Sequence, residues 1–354
     1  MTRTVCIVGA GAAGVGAAYA LGDADVDVTI LEKSRGVCGR AATRRRNGCR
    51  YDHGANYLKD ADERTVELVE DLGGDGLVAF DDPVWTFDAD GRVSESDRDP
   101  ETKYTWEDGV TQLAKRLLAR AETEVRRETR VERIQRGSGR EHVDEDANGD
   151  RWYLVDTDGG SHGPFDAVVL TPPAPQTAGL LAETKWHSEH LPALREAVGA
   201  VRYRTIHSVM LHYPFEVDVP YYALVNTDSE HDIGWLSREE CKRGHVPDGE
   251  SLLVVQMAPH WSEQHYDDPL SETADAVAAK VAELMDDDRL TEFDWTDDQG
   301  WRYAQPNSGA NEEILRRGES DGLFFAGDWV AGEGRVHLAL WNGVGVGERI
   351  GESL

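Results

Sequence analysis

Thr4-Val-Cys-Ile-Val8 is a continuous apolar run of the kind a parallel strand shows when both of its faces are buried. Gly9 to Gly14 punctuates it, Ala12 to Leu21 suits a helix packed closely on a sheet, and Val26-Asp-Val-Thr-Ile-Leu31 returns as a second strand. Val110, Leu113, Ala114, Leu117, Leu118 and Ala121 recur at helical spacing and predict an amphipathic helix. Val125 to Ile134 alternates, as does Trp152 to Val155, and each reads as a strand. The acidic, glycine-bearing stretch Gly137 to Asp150 between them reads as a hairpin loop. Phe165-Asp-Ala-Val-Val-Leu170 is another buried strand, stopped by Pro172-Pro173.

From there to about Asp321 the pattern becomes aromatic-rich strands around Tyr203 to Phe215, Tyr221 to Leu236 and Ser251 to Met257. A helix with Ala274, Val277, Ala278, Val281 and Leu284 on one face follows. Leu323-Phe-Phe-Ala-Gly327 then resumes the buried-strand style of the N-terminus. The pattern predicts a discontinuous α/β domain of residues 1–75, 104–172 and 321–354. A β-rich domain of residues 76–103 and 173–320 is inserted in it.

Charge narrows the partners. The 354 residues include 67 acidic and 37 basic side chains, a net charge of −30. Such a surface repels nucleic acid and anionic lipid, so neither is an expected partner. Lysine occurs only at Lys33, Lys59, Lys103, Lys115, Lys185, Lys242 and Lys280. Abundant carboxylate with scarce lysine is expected of a protein kept soluble in concentrated salt, as in a halophile's cytoplasm. Cys6, Cys38, Cys49 and Cys241 show no Cys-x-x-Cys spacing, which argues against a structural zinc or a disulfide framework. Val5 to Leu21 imitates the apolar part of a signal peptide, but its glycines and the strand after it favour a nucleotide-binding turn. No other segment is apolar enough to suggest a membrane span, and a cytoplasmic location is expected.

Gly9-Ala10-Gly11-Ala12-Ala13-Gly14 is a G-x-G-x-x-G between a strand and a helix. The first glycine permits the turn, the second admits a pyrophosphate and the third lets helix and strand approach. Helix N–H groups then meet the phosphate charge. Glu32, 18 residues after Gly14 and followed by Lys33, closes the second strand where a carboxylate can accept from ribose hydroxyls.

Ser34-Arg-Gly-Val-Cys-Gly39-Arg40-Ala41-Ala-Thr43 resembles the G-G-R-x-x-[ST] element of the flavin amine oxidase superfamily, and Asp52-His-Gly-Ala55-Asn56-Tyr57 resembles its renalase branch. Phe325-Ala-Gly327-Asp328-Trp329 is similar to the second FAD motif, and Gly334-Arg335-Val336 to the start of the helix beside the flavin ring. Softer echoes include Trp106 to Val110, Val168 to Pro175, Trp235 to Arg238, Pro259 to Ser262 and Trp301 to Ala304. The chain thus resembles renalase-like FAD-dependent oxidoreductases over nearly its whole length.

The resemblance implies a two-domain α/β FAD/NAD(P)-binding Rossmann-like fold, of the glutathione-reductase/p-hydroxybenzoate-hydroxylase type, with a β-rich substrate domain inserted. It implies cofactor contacts from Gly9 to Gly14, Glu32, Lys33, Gly39, Arg40, Ala41, Thr43, Ala55, Asn56, Tyr57, Val131, Gly327, Asp328, Arg335 and Val336. It implies hydride transfer to the flavin from a small reduced substrate, an isomeric dihydronicotinamide of the NAD(P)H type, with O2 as acceptor giving H2O2. The flavin carries the redox chemistry, so no separate acid or base is assigned.

Several positions depart from the family pattern. Cys38 stands for a glycine and Asn56 for a glutamine. No cysteine follows Cys241, so the FAD is expected to be non-covalent. Trp329 and Trp341 stand at the end where amine oxidases carry a tyrosine pair. His207, Trp235 and Trp341 are substrate-pocket candidates, although residues of these types more often pack the core or lie on the surface. Gly332 and Gly334 are read as space beside the ring, and Gly343, Gly345 and Gly347 as close packing behind it. Amine oxidation or desaturation on the same scaffold, and a flavin-free binding module like the GDP-dissociation inhibitors, are the alternatives left open.

Overall fold

A computed structural model describes residues 2–97, 101–121, 123–137 and 151–353. It divides into two compact units, one of Met1–Arg40, Leu113–Tyr203 and Gln305–Leu354, the other of Ala41–Gln112 and Arg204–Ala304.

The first unit is built on a parallel sheet of five strands in the order Glu124–Arg126, Val26–Leu31, Arg3–Val8, Ala167–Leu170, Leu323–Phe325. Cys6 to Val8 pair with Thr29 to Leu31 on one side and Val168 to Leu170 on the other. The central strand is therefore buried on both faces, which is why its sequence is apolar without alternation. The helices Ala12–Ala20 and Val336–Ser353 pack through glycine. A Cβ at Gly343 would run into the Ala13 carbonyl, one at Gly16 into that of Leu340, and one at Gly347 would lie 2.5 Å from that of Ala17. Gly345 takes no part, since a Cβ there would meet only Arg349 at 3.8 Å.

Two strand expectations need correction in this unit. Val125 to Ile134 is not one strand. Glu124–Arg126 joins the parallel sheet, Glu128 turns the chain at φ +55°, and Val131–Gly137 pairs antiparallel with Arg151–Asp156 in a separate three-stranded sheet. Alternation continued across the turn and hid it. The hairpin loop expected between these strands, residues 138–150, lies outside the described residues. After Pro172-Pro173 the chain forms helices, Ala174–Ala182 and Leu191–Gly199, before any aromatic strand; Pro175 and Pro192 occupy their first turns, where proline costs no hydrogen bond.

The second unit centres on a seven-stranded sheet, in the order Trp295–Pro306, Tyr203–Tyr213, Ser251–Met257, Ile233–Arg238, Ala223–Asn226, Val84–Phe87, Val93–Ser94. The Tyr221 to Leu236 region is a hairpin of two strands, not one. One sheet face packs Leu211, Leu236 and Val255 against the helix Leu270–Met285, which buries Ala274, Val277, Ala278, Val281 and Leu284 as its spacing predicts. Ser208, Gln256 and Trp235 lie in register across neighbouring strands on the other face. Among the described residues no helix is long and apolar enough to cross a membrane.

Candidate functional site

The glycine turn of the first unit divides its labour by position. Gly9 leaves the central strand at φ +102°, a conformation that favours glycine, and a Cβ there would lie 2.7 Å from Thr171 Oγ1. A Cβ at Gly14 would run into the Gly9 carbonyl, so this glycine lets the helix lie against the turn. Around Gly11 a Cβ would meet nothing within 4 Å, and Gly11 caps the helix without a side-chain bond. Open space and uncapped N–H groups thus coincide at the second glycine.

Glu32 is buried at the end of the second strand and accepts from the Ala10 N–H at 2.7 Å and the Ser34 N–H at 2.7 Å. Each carboxylate oxygen keeps further acceptor capacity. Ala10 and Ala13 are buried and Ala12 is half-buried. Lys33 reaches Gln176 Oε1 at 3.3 Å, with its pKa lowered by partial burial and then by Arg130. Val131 packs at the edge of the Leu31–Leu154 cluster.

Cys38 docks on this turn, its N–H donating to the Ala10 carbonyl at 2.8 Å while it forms a bridge to Gly11. Its φ is +79°, a conformation that glycine adopts freely and a side chain resists. The cost of replacing glycine therefore falls on the cysteine backbone. Gly39 follows at φ +58°, and a Cβ there would lie 3.3 Å from Gly11 Cα.

Arg40 grips Asp328 bidentately, at 2.7 and 2.8 Å, and Asp328 Oδ1 also accepts from the Trp329 N–H at 3.0 Å. Gly327 donates its N–H to Asn342 Oδ1 at 2.9 Å. The last helix begins at Val336, as its glycine-bearing approach predicts, and Arg335 pairs with Glu333 at 3.1 Å. The space at Gly334 is taken by Gln305, whose Cγ would lie 2.9 Å from a Cβ, whereas Gly332, at φ +96°, faces open space. Trp329 is fully buried, its Nε1 donating to the Pro172 carbonyl at 3.1 Å; Trp341 is half-buried.

In the second unit the Asp52–Tyr57 segment is held from behind by charge. Asp52 Oδ1 accepts from the Thr43 hydroxyl at 2.6 Å and the Val110 N–H at 3.0 Å. Lys242, fully buried, donates to Glu239 Oε1 at 2.6 Å, the Asn56 carbonyl at 2.7 Å and Asp52 Oδ2 at 3.2 Å. His245 Nδ1 lies 2.9 Å from Glu239 Oε2 and its Nε2 lies 3.0 Å from the Trp106 carbonyl. Burial pushes the Asp52 carboxyl up, but Lys242, then His245, the Thr43 hydroxyl and the Val110 N–H outweigh it and hold it below the usual range. Burial likewise lowers Lys242, and Glu239 with Asp52 more than reverses it.

From the front the segment lies along the sheet face that carries Ser208, Gln256 and Trp235. Trp301 Nε1 donates to the His53 carbonyl at 3.0 Å and Gln256 Nε2 to the Gly54 carbonyl at 2.6 Å. Burial first, then Arg44, lowers the His53 pKa to about 4, so this imidazole is neutral at pH 7. Ala41 is buried and Ala55 half-buried, while Asn56 Nδ2 donates to the Asp52 carbonyl at 2.7 Å. The Tyr57 ring lies 6.1 Å from Tyr222, 6.4 Å from Phe80 and 6.4 Å from Trp235. Trp235 Nε1 and Ser208 Oγ are buried without hydrogen-bond partners. The structure thus gathers Asn56, Tyr57 and Trp235. His207 lies on the opposite, helix-packed face, with Nε2 2.8 Å from Asp298 Oδ2 and its ring 6.1 Å from Trp261.

Residues 7–72 match the NAD(P)-binding Rossmann-like domain, and residues 79–350 match the flavin containing amine oxidoreductase model. The chain belongs to the flavin-containing amine oxidoreductase family. This flavin oxidoreductase is 37% identical over 71 residues to protoporphyrinogen oxidase 2, chloroplastic/mitochondrial, of Arabidopsis thaliana, a match covering 20% of the chain and 14% of that protein. Among solved structures, cyclohexylamine oxidase from Brevibacterium oxydans IH-35A aligns at TM-score 0.74 and 15% identity, covering 100% and 99% of the two chains. A protein of Exiguobacterium sp. 255-15, provisionally named protoporphyrinogen oxidase, aligns at TM-score 0.75 and 16% identity, covering 100% and 98%.

The protein is an FAD-dependent oxidoreductase with the two-domain Rossmann-like fold its motifs imply. The first unit fits that cofactor on its own geometry, because a Cβ at Gly11 would meet nothing within 4 Å and the acceptor Glu32 bonds the neighbouring Ala10 N–H. Sequence reasoning did not single out Glu239, Lys242 or His245. Lysine scarcity was the available signal, since a lysine retained in so acidic a chain marks a place where its charge is needed.

Proposed function

We propose that the protein oxidises a small reduced substrate of the isomeric dihydronicotinamide type, with O2 as electron acceptor. The observation that carries this reading is the face around Tyr57. Tyr222, Phe80 and Trp235 supply flat apolar surface, and Trp235 Nε1 is a buried donor without a partner. The carboxylates whose charge reaches Tyr222, Glu239 and Asp52, are both taken up by Lys242. A neutral ring with a carboxamide oxygen suits such a face, whereas an ammonium would find that pair already neutralised.

When bound, FAD would supply the hydride acceptor, with O2 as the final electron acceptor and H2O2 as the product. Gly9 to Gly14 and Arg40 would hold the pyrophosphate, Glu32 and Lys33 the adenosine ribose, Asp328 the ribityl chain. Arg335 and Val336 would bring the last helix to the ring, with Gly39 and Val131 completing the contacts of this unit. Amine oxidation is the second reading, favoured by the family and by the cyclohexylamine oxidase likeness.

Anaerobic mixing with dihydronicotinamide isomers, β-NAD(P)H and amines, while flavin bleaching is followed, decides between them. Bleaching by an isomer and not by amines is expected; bleaching by amines alone overturns the proposal. We further propose a cytoplasm rich in salt as its setting, because the −30 charge repels itself least when the Debye length falls to ~3 Å at 1 M. Melting temperature should rise with KCl towards that concentration, and a flat curve would count against a halophilic origin.

A further inference from the structure

Among the described residues, two trios of potential metal ligands occur in the second unit, and they differ in what lies between their ligand atoms. Asp52 and Glu239 both hold the Lys242 ammonium, and His245 Nδ1 lies 2.9 Å from Glu239 Oε2, so the chain already supplies the cation there. Cys49, His212 and Glu250 offer a sulfur, a ring nitrogen and a carboxylate oxygen within 4.8 Å of one another. They come from three separate segments: the Cys49–Asp52 strand, the Tyr203–Tyr213 strand and the residue before Ser251–Met257.

His212 is oriented as a metal-binding imidazole would be. Its ring stacks on Trp295 at 5.0 Å and 12°, which fixes the plane. Nε2 points to Glu250 Oε2 at 3.0 Å, while Nδ1 is buried, makes no hydrogen bond and faces Asp294 Oδ2 at 3.5 Å. A carboxylate behind the far nitrogen is the arrangement that sets the tautomer of a ligating histidine. Cys49 and His212 are buried, whereas Glu250 and Asp294 open to solvent, which leaves a route for an ion.

We infer that Cys49, His212 and Glu250 form a site for a thiophilic divalent cation, Zn2+ above all, with Asp294 as the residue that positions His212. Sulfur, imidazole and carboxylate together suit zinc, and three protein ligands leave a fourth position for water. Binding through Nε2 would release the Cys49 thiol proton to solvent and require the His212 tautomer protonated at Nδ1, which would donate to Asp294 Oδ2. Zinc takes the thiolate form, so uptake near pH 7 should release the Cys49 proton, and the Glu250 and Glu240 carboxylates lie near enough for their charge to reach Cys49. The same carboxylates favour a cation. This site does not depend on which substrate the flavin oxidises.

The test is equilibrium dialysis of the untagged, FAD-loaded protein against ZnCl2 in molar KCl with excess Mg2+, which occupies hard oxygen sites on the acidic surface. Stoichiometric zinc that survives Mg2+ is expected, lost in Cys49→Ser and weakened roughly 10–100-fold in Asp294→Asn. Asp294 is exposed, so its variant keeps the test valid if Cys49→Ser fails to fold. Cobalt substitution should add a thiolate-to-metal charge-transfer band to the difference spectrum of the native protein. Failure of the native protein to retain zinc, retention undiminished in Cys49→Ser, or bound cobalt without that band would each overturn the site.

Discussion

In the unit that carries the glycine turn, the groups arranged around Gly11 are backbone N–H groups and open space, with Glu32 and the Arg40–Asp328 pair at hand. In the other unit the dominant ionisable groups, Asp52, Glu239, Lys242 and His245, are wholly buried and satisfy one another. The first arrangement has capacity left for a ligand. The second spends its capacity on itself, and its product is the fixed path of the Asp52–Tyr57 segment. A change in the first should show in cofactor affinity with little loss of fold, and a change in the second should show in stability first.

The sharpest way to break this comparison is Lys242→Met. It leaves two buried carboxylates uncompensated, a cost of ~3–5 kcal/mol. An earlier denaturant transition is expected, with partial recovery when Asp52→Asn and Glu239→Gln are added. A variant as stable as the parent would mean that the network does not hold the segment.

Glu32→Ala comes next, since charge-assisted bonds of this sort are worth ~1.5–3 kcal/mol, or one to two decades of FAD affinity. Gly11→Ala should also loosen FAD while leaving the apo melting point unchanged, because its Cβ meets no protein atom within 4 Å. Equal affinity by titration in both variants would remove the assignment of this turn.

Acid offers a third test. The Asp52 pKa is lower folded than unfolded, so the stability it confers is complete above the ordinary carboxylate value of ~4 and is lost as pH falls through the folded value. The slope there approaches ~1.4 kcal/mol per pH unit for one proton, and Asp52→Asn should flatten that limb of the stability profile.

The smallest effect separates two glycines of one helix. Gly345→Ala should stabilise by ~0.4–1 kcal/mol, since its Cβ would meet only Arg349 at 3.8 Å. Gly343→Ala should lower the melting temperature, because its Cβ would strike the Ala13 carbonyl.

Much of the first unit was legible because its determinants are local. A glycine needed at φ +102°, a strand buried on both faces and a carboxylate at the strand end each leave a mark within a few residues. The glycine-bearing last helix was legible too, although Gly343, Gly345 and Gly347 look alike in sequence and only two of them pack. The turn at Glu128 and the helices after Pro173 were not legible, since alternation and apolar content are shared by several elements there.

By itself the sequence determined the family, the redox cofactor and the nucleotide turn, because short motifs encode backbone conformation directly. Only the tertiary structure decided which side chains meet. Lys242 reaches Asp52 across 190 positions, and Cys49, His212 and Glu250 converge from three segments with no spacing that announces a ligand set. It also placed His207 and Trp235, both on aromatic-rich strands, on opposite faces of one sheet. Side-chain proximity between distant segments depends on strand register, and a shift of one residue would exchange the two faces.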